Sequence, residues 1–568
     1  MFYQKPLLII NGPIEIDISS YGEVIVYKFS SCRIKSKHKF KVLNDPNQLD
    51  FYADKERKDY INWIFALGEN SYYEKFKDFL KFDFFRFGDL SSMRNEIYPT
   101  FDFICNIKLI KEILIKYDPS RVKLINFSSD KKEVLYSVLP SKFKKNDRFQ
   151  FISKINLKFN NFSMFFKVLL SYYFFLTKLF VFYVVQKAYS FRKFNIKSIN
   201  NANIFLTRYP LHFTESEIDE KYTSLFKKND IYLMDLISDG IHQNIGIKKY
   251  IRSIKRLSKF KRNVVLLDKY ICLIDFLRLI FKIPIVISLY LFLLNKKYIY
   301  KDLNITDLIY KEQIYSLSKN LRLLTLVPKI EKLCDLMKNS NFYFTLFEFP
   351  YGKLFCNFIN QKTNCTTIGF QHGPASRRKL FHYVPMSSYE KKLNYQFIPK
   401  KVLCENDFSL KIYAEAKYRK IKIMESIYRL NYLDDLKKEE SANFSVIFGG
   451  LHDSNEVIIE LEEYIRNKKK DFYFKSHPRA NLSKTTKNLI HDLDNLKIIN
   501  EHPTRLLPKC SEVICTYSSI ALEAYSMGIN VFIVDIPGIV NLSPLTEKDF
   551  NKENNQIKKI KFLSRDKN

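Results

Sequence analysis

The 568-residue chain has little glycine, 13 residues, a single tryptophan and no long Gly/Ser/Pro stretch or repeat period. Linker-separated modules and repeat arrays are therefore excluded, and domain boundaries have to come from the alternation of strand and helix. Its nine cysteines are scattered, odd in number and form no C-x-x-C pair or nearby Cys/His quartet. That excludes a disulfide framework and structural zinc and favours a reducing cytosol. The opening MFYQKPLLIINGP lacks a basic stretch followed by an apolar run and a small-residue cleavage site, so export is not expected.

What is abundant is positive charge and apolar surface. Lys+Arg number 93 against 60 Asp+Glu, a formal net charge of +33, while 46% of residues are apolar and 16% aromatic. Such a chain is too apolar for a disordered basic tail and reads as a folded protein with acidic partners. The 51 Phe and 37 Tyr, with Lys, Ile and Asn throughout, also match the codon usage of an AT-rich genome, which halves the weight of the charge. No RNA- or DNA-binding signature accompanies it, and no nucleic acid partner is expected.

The charge and the apolar residues are arranged together. Arg148 to Thr214 contains no acidic residue and ten Lys or Arg, and encloses the apolar run Val168 to Val185. A second basic run, Lys248 to Arg262, precedes Ile271 to Leu294, apolar apart from Asp275, Arg278 and Lys282. Both resemble helices lying in a membrane interface beside anionic headgroups. The competing readings are buried core helices and, less compatible with Pro284 and with runs of about 18 residues, a true span.

The final third alternates short β-rich runs (Phe444 to Phe448, Phe472 to Lys475, Leu496 to Ile499, Glu512 to Cys515, Asn530 to Val534) with helical stretches. Such alternation predicts a parallel, doubly wound α/β sheet. The front half is a looser version, with strands expected at Leu7 to Ile10, Val24 to Tyr27, Val122 to Ile125, Ile204 to Thr207, Ile231 to Asp235, Val264 to Leu266, Phe342 to Phe347 and Thr366 to Gly369. Two Rossmann-like halves with a crossing near Lys401 to Met424 predict a ligand cleft beyond the carboxyl ends of strands.

Four segments place chemistry at strand ends. In FYFKSHPRAN, Lys475, His477 and Arg479 surround a turn stiffened by Pro478, suited to a phosphate. In ICTYSSIALEA, Ser518 and Ser519 join strand to helix where an anion is favoured, and Glu523 is one turn in, within reach of a ribose diol. In TIGFQHGPASRR, Gln371 and His372 form a polar turn before Arg377 and Arg378, with His372 a candidate general base. FTLFEFPYGK puts Glu348 at another strand end. Each feature alone is as compatible with an ordinary turn or cap. Asp434 and Asp435 are adjacent in a polar stretch rather than spaced as D-x-D, so no metal is demanded.

QHG, K-x-H-P-R and S-S-x-A-L-E-A-x-x-x-G followed by NLSPL together resemble bacterial surface-carbohydrate (capsule and O-antigen) transferases of GT-B architecture. These are relatives of polysialyltransferase-like, Kdo-transferase-like and CDP-glycerol glycerophosphotransferase-like enzymes. The match covers about Phe342 to Pro544, with LTRYP, Asp219, Lys221 and Tyr222 a fainter echo. It implies donor-phosphate contacts from His477, Ser518 and Ser519 and a ribose contact from Glu523. There is no acidic D/E-D/E-G element, and QHG is not the fuller W-H-G-T-P of the glycerophosphotransferases.

The expectation is thus an acceptor domain over residues 1–400 with helical membrane-associating insertions at about 160–190 and 248–296, a nucleotide-donor domain over 401–545, and a basic tail over 546–568. The expected activity is an inverting, metal-independent, cofactor-free transfer from a nucleotide-activated sugar, weakly CMP-linked, to a lipid-linked or growing glycan. Lys475, His477, Arg479, Ser518 and Ser519 hold the leaving phosphate, His372 or Glu348 serves as base, and Gln371, Arg377 and Arg378 assist with acceptor or phosphate. The expected location is the cytoplasmic face of an anionic membrane. The alternatives are a CDP-glycerol-type glycerophosphotransferase and a noncatalytic glycan-assembly adaptor.

Overall fold

The computed structural model describes residues 4–563, except 13–14, 69–70, 144–148, 189–197, 210–212, 214–216, 223–224, 228, 237–245, 385–393, 425–432, 434–435, 437–438, 548 and 551–559. Asp434 and Asp435 thus lie outside the described residues. Three parallel sheets organise the chain. Their central strands are short runs rich in Val, Ile, Leu and Phe, largely buried on both faces, the pattern of parallel strands covered by helices on either side.

The last sheet has six strands in the order Leu496–Ile498, Phe472–Lys475, Phe444–Phe448, Cys510–Cys515, Asn530–Val534 and Ile560–Leu563. In its centre Ile447 lies between Phe474 and Ile514 in register. The middle sheet has seven strands: Asn263–Leu266, Ile231–Asp235, Asn203–Arg208, Asn341–Thr345, Thr366–Phe370, Lys401–Cys404 and Ile421–Ile423. Segment 401–424, expected as the crossing between halves, therefore supplies the last two strands of this sheet, with Ile421–Ile423 at its edge. These two doubly wound sheets are the two Rossmann-like units that the strand–helix alternation predicts.

The strands Leu7–Ile10, Val24–Lys28 and Val122–Ile125 do not join the middle sheet. With Phe40–Val42 they form a separate four-stranded parallel sheet, whose helices Pro46–Gly68 and Thr100–Tyr117 share one core with the seven-stranded unit. The apolar run Val168 to Val185 lies in the 40-residue helix Phe149–Ala188. The second apolar run is broken, as Pro284 predicts, into Leu273–Phe281 and Ile283–Asn295.

The three units meet at Arg377 and Arg378. Arg378 pairs with Asp50 and, at 3.2 Å, with Asp54 on the first helix, and donates to the Asn541 carbonyl at 3.4 Å and the Thr546 hydroxyl at 3.1 Å behind the last sheet. Arg377 pairs with Glu415 at 2.7 Å and Glu547 at 3.2 Å. Neither guanidinium is available to a phosphate or acceptor in this arrangement, so the auxiliary role expected of both gives way to holding the units together. Nearby, Gly538 has φ +74°, and a Cβ there would stand 2.1 Å from the Phe29 carbonyl oxygen, so only glycine allows the first and last units to pack this closely.

Burial pushes the Asp50 carboxyl up to about 7, with Arg378 opposing it. Raised above its unfolded value, this group favours folding least when ionised, so its contribution falls as pH rises from about 4 to 7. Arg378→Met strands the Asp50 charge and is expected to cost about 3–5 kcal/mol above pH 7. The loss shrinks toward pH 5, where Asp50 holds a proton in both proteins. Denaturant melts across this range check it, and a loss independent of pH would contradict the assignment.

Candidate functional site

In the six-stranded sheet the chain runs outward from Phe444–Phe448 to one edge, then returns beside it at Cys510–Cys515 and runs to the other. By the rule for doubly wound sheets, that reversal places the ligand crevice at the carboxyl ends of these two strands. Three loops border it: Gly449–Asp453, Lys475–Arg479 and Thr516–Ser519.

The first loop was missed in the motif reading, although a Gly-Gly pair directly after a β-rich run and before a helix was a legible signal. Here glycine permits close approach. A Cβ on Gly449 would lie 2.4 Å from Ser454 Oγ, and one on Gly450 would lie 2.4 Å from Asp453 Oδ1. The loop thus turns tightly onto the helix Ser454–Arg466, where Ser454 Oγ donates to the Gly450 carbonyl at 2.6 Å. Asp453 is buried and accepts a hydrogen bond from the Thr516 hydroxyl, tying the first loop to the third. Burial raises its carboxyl, opposed by that hydroxyl and by the Gly450 N–H.

In the second loop the Arg479 N–H donates to His477 Nδ1 at 3.1 Å, which leaves Nε2 to carry the proton of the neutral ring. Lys475 closes its strand and its carbonyl accepts from the Gly449 N–H at 3.0 Å. Burial holds the His477 imidazole below its usual range, and Arg479 and His452 add to the effect. His452, on the first loop, is likewise held down by burial, opposed chiefly by Glu96. Arg94 brings this front segment to the crevice mouth, pairing with Glu96 at 2.8 Å and standing 4.3 Å over the Phe349 ring. His452, Arg94 and Glu96 carry no sequence signature, because they meet only in the folded chain.

Ser518 and Ser519 are half-buried at the start of the short helix Ile520–Ser526, and neither side chain makes a close capping bond within it. Lys475, His477, Arg479, Ser518 and Ser519 therefore border one crevice. Glu523 is instead 6% exposed within that helix, so a ribose does not reach it in this arrangement.

Across from these loops stand the carboxyl ends of the seven-stranded sheet, where Ala375 packs in one apolar cluster with Ile520 and Leu545. Gln371 shapes the QHG turn: its amide oxygen accepts from the Glu405 N–H at 2.9 Å and its Nε2 donates to the Gly373 carbonyl at 2.8 Å. It thereby sets the turn that leaves His372 exposed. Glu348 has a different setting, 3% exposed, accepting from the Tyr413 hydroxyl at 2.6 Å and 3.7 Å from His382 Nδ1. Leu206 to Tyr209 of the LTRYP segment are buried too. Thr207 bonds Asp219, the Tyr222 hydroxyl donates to the Leu206 carbonyl at 2.9 Å, and burial pushes the Lys221 amine down to about 8.

No family model matches the chain, and no curated protein does. Among solved structures it is similar to a UDP-GlcNAc 2-epimerase from Neisseria meningitidis bound to UDP-GlcNAc, at 12% identity and TM-score 0.32 over 59% of this chain and 82% of that one. It is also similar to a UDP-glucosyltransferase from Polygonum tinctorium, at 8% identity and TM-score 0.30 over 65% and 86%. Likeness this loose has no bearing on the chemistry of the crevice, which rests on its own residues.

Thr516→Val removes the donor to a carboxylate that is 1% exposed and is expected to cost about 1–3 kcal/mol in urea unfolding. Unchanged stability would mean that the Thr516–Asp453 bond does not hold the loops together.

Proposed function

We propose that the chain is a glycosyltransferase of bacterial surface-polysaccharide biosynthesis, moving a sugar from a nucleotide-activated donor to a lipid-linked or growing glycan at the cytoplasmic face of a membrane. The observation that carries this reading is the gathering of Lys475, His477, Arg479, Ser518 and Ser519 around the switch-point crevice of the six-stranded sheet. The donor's phosphates sit among these groups. Fixed cations, the Nε2–H of His477 and the serine hydroxyls stabilise the charge that grows on the leaving phosphate, which is the largest demand of the reaction. They do so without a metal.

The acceptor hydroxyl approaches from the opposite face and gives its proton to His372, which the QHG turn presents to solvent. Glu348, shut in by Tyr413 and His382, serves better as an anchor for that wall than as the base. In-line attack on the anomeric carbon, with the phosphate leaving toward His477, inverts the centre.

Because burial and Arg479 hold His477 below its usual range, it is mostly neutral at pH 7, and a bound phosphate pulls its titration upward. Donor binding is therefore expected to take up protons, seen in calorimetry as a binding heat that varies with buffer ionisation enthalpy. Binding heats identical across buffers would remove His477 from the phosphate.

The wider test is a panel of CMP-, UDP-, GDP- and CDP-linked donors. His477→Ala and Ser519→Ala are expected to raise donor KM and lower turnover, whereas His372→Ala lowers kcat about 10²- to 10⁴-fold with nucleotide affinity kept. Absence of binding across the panel would overturn the class, and normal turnover in His372→Ala would overturn the base.

A further inference from the structure

Among the described residues two helical stretches are long and apolar enough to cross a membrane, Phe165–Ala188 and Leu273–Leu293, with mean hydropathy 1.9 and 2.1. Neither is built as a span. The second stretch is broken before Pro284, and its nine-residue first helix reaches only about 14 Å of a roughly 30 Å hydrocarbon core. The first is docked along one side, where Tyr172, Leu176, Leu179 and Phe182 are buried against the protein and Phe182 stacks on Tyr250 at 4.4 Å.

The unusual feature is the other side of each helix. A helix on the surface of a globular domain turns charged residues outward. Here the outward residues of the first are Phe166, Leu170, Tyr173, Phe174, Phe180 and Val184, with Phe174 72% exposed. Those of the second are Leu273, Ile274, Leu277, Ile280 and Phe281, with Phe281 76% exposed. Both sets recur at helical spacing, so each forms a face. Phe180 rests on Phe276 at 5.5 Å, which brings the two faces side by side. A continuous apolar surface of this kind marks an interaction site.

Charge selects the partner. The helix Ile247–Ser258 packs on the same long helix through Tyr250, contains no acidic residue, and turns Lys248, Lys249, Arg252, Lys255 and Arg256 to solvent. A second copy meeting this face would bring the same cations into apposition in a chain of net charge +33. An anionic lipid surface matches both features, taking the apolar faces at the headgroup–acyl boundary and the cations among its headgroups.

We propose that these three helices form a shallow docking surface for an anionic bilayer, in which the outer faces of Phe165–Ala188 and Leu273–Phe281 are inserted and neither stretch crosses. It rests on the proposed function only in identifying that surface as the place where a lipid-linked acceptor is presented.

The test uses the full chain with phosphatidylcholine vesicles, with and without phosphatidylglycerol. Wild type floats with the anionic vesicles at least tenfold better than with the neutral ones, and high salt releases part of it. Phe174→Asp with Phe281→Asp, and separately Gln at Lys248, Lys249, Arg252, Lys255 and Arg256, each lower anionic-vesicle partition at least tenfold at an unchanged melting temperature. Wild type that stays with the neutral fraction overturns the proposal, as does flotation that survives both variants. A dimer in ultracentrifugation that Phe174→Asp with Phe281→Asp converts to monomer assigns the face to a second copy and also overturns it. If that variant unfolds, the Gln variant decides alone, since its side chains are exposed. Nucleotide-sugar binding is measured without vesicles, so a chain that binds donor but not lipid fails here while the transferase reading stands.

Discussion

The arrangement of all three sheets depends on two adjacent arginines. Arg378 reaches both the first helix, at Asp50 and Asp54, and the segment behind the last sheet, at Asn541 and Thr546, while Arg377 spans Glu415 and Glu547. The pairs with the largely buried carboxylates of Asp50 and Glu547 add little net stability over a well-packed apolar contact, but they are costly to break and admit few geometries. Their consequence is positional. Both arginines follow the QHG turn by only a few residues, so the interaction that joins the units also fixes where His372 stands relative to the loops of the six-stranded sheet.

This dependence explains what was and was not legible in the sequence. The strand–helix alternation of the last third is a local pattern, and the strands Phe444–Phe448, Phe472–Lys475 and Asn530–Val534 fall where it places them. Sheet membership is not local. Nothing in Leu7–Ile10 or Val122–Ile125 distinguishes a strand of a separate four-stranded sheet from one of the middle sheet, since both are short apolar runs. The pairing of Arg378 with Asp50 joins residues 328 positions apart, and the motif containing Arg377 and Arg378 suggested a phosphate because their carboxylate partners were out of view.

The site shows the same division. Motif reading picks out the polar residues that stand at strand ends, His477, Ser518, Ser519 and His372, because strand ends and turn residues are written in consecutive positions. It did not separate His372 from Glu348, which differ in burial rather than in sequence context. It also could not bring Arg94 and Glu96 to the crevice beside His452, because that segment belongs to a unit whose packing the local pattern does not encode.

The chain's basicity, finally, is not one property but several. Part of it is consumed inside the fold, where Arg377, Arg378 and Lys329 neutralise the largely buried carboxylates of Glu547, Asp50 and Asp268. Part stands at the crevice, where Lys475 and Arg479 supply fixed charge and the neighbouring histidines are held neutral, so the site is not crowded with like charges before an anion enters. Part lies on the helix Ile247–Ser258, exposed and without acidic neighbours on its own element. A net charge inflated by codon usage would scatter over the surface. The segregation of these cations by environment is what gives the charge functional content, because only the placement of a charge, and not its sum, decides which anion it meets.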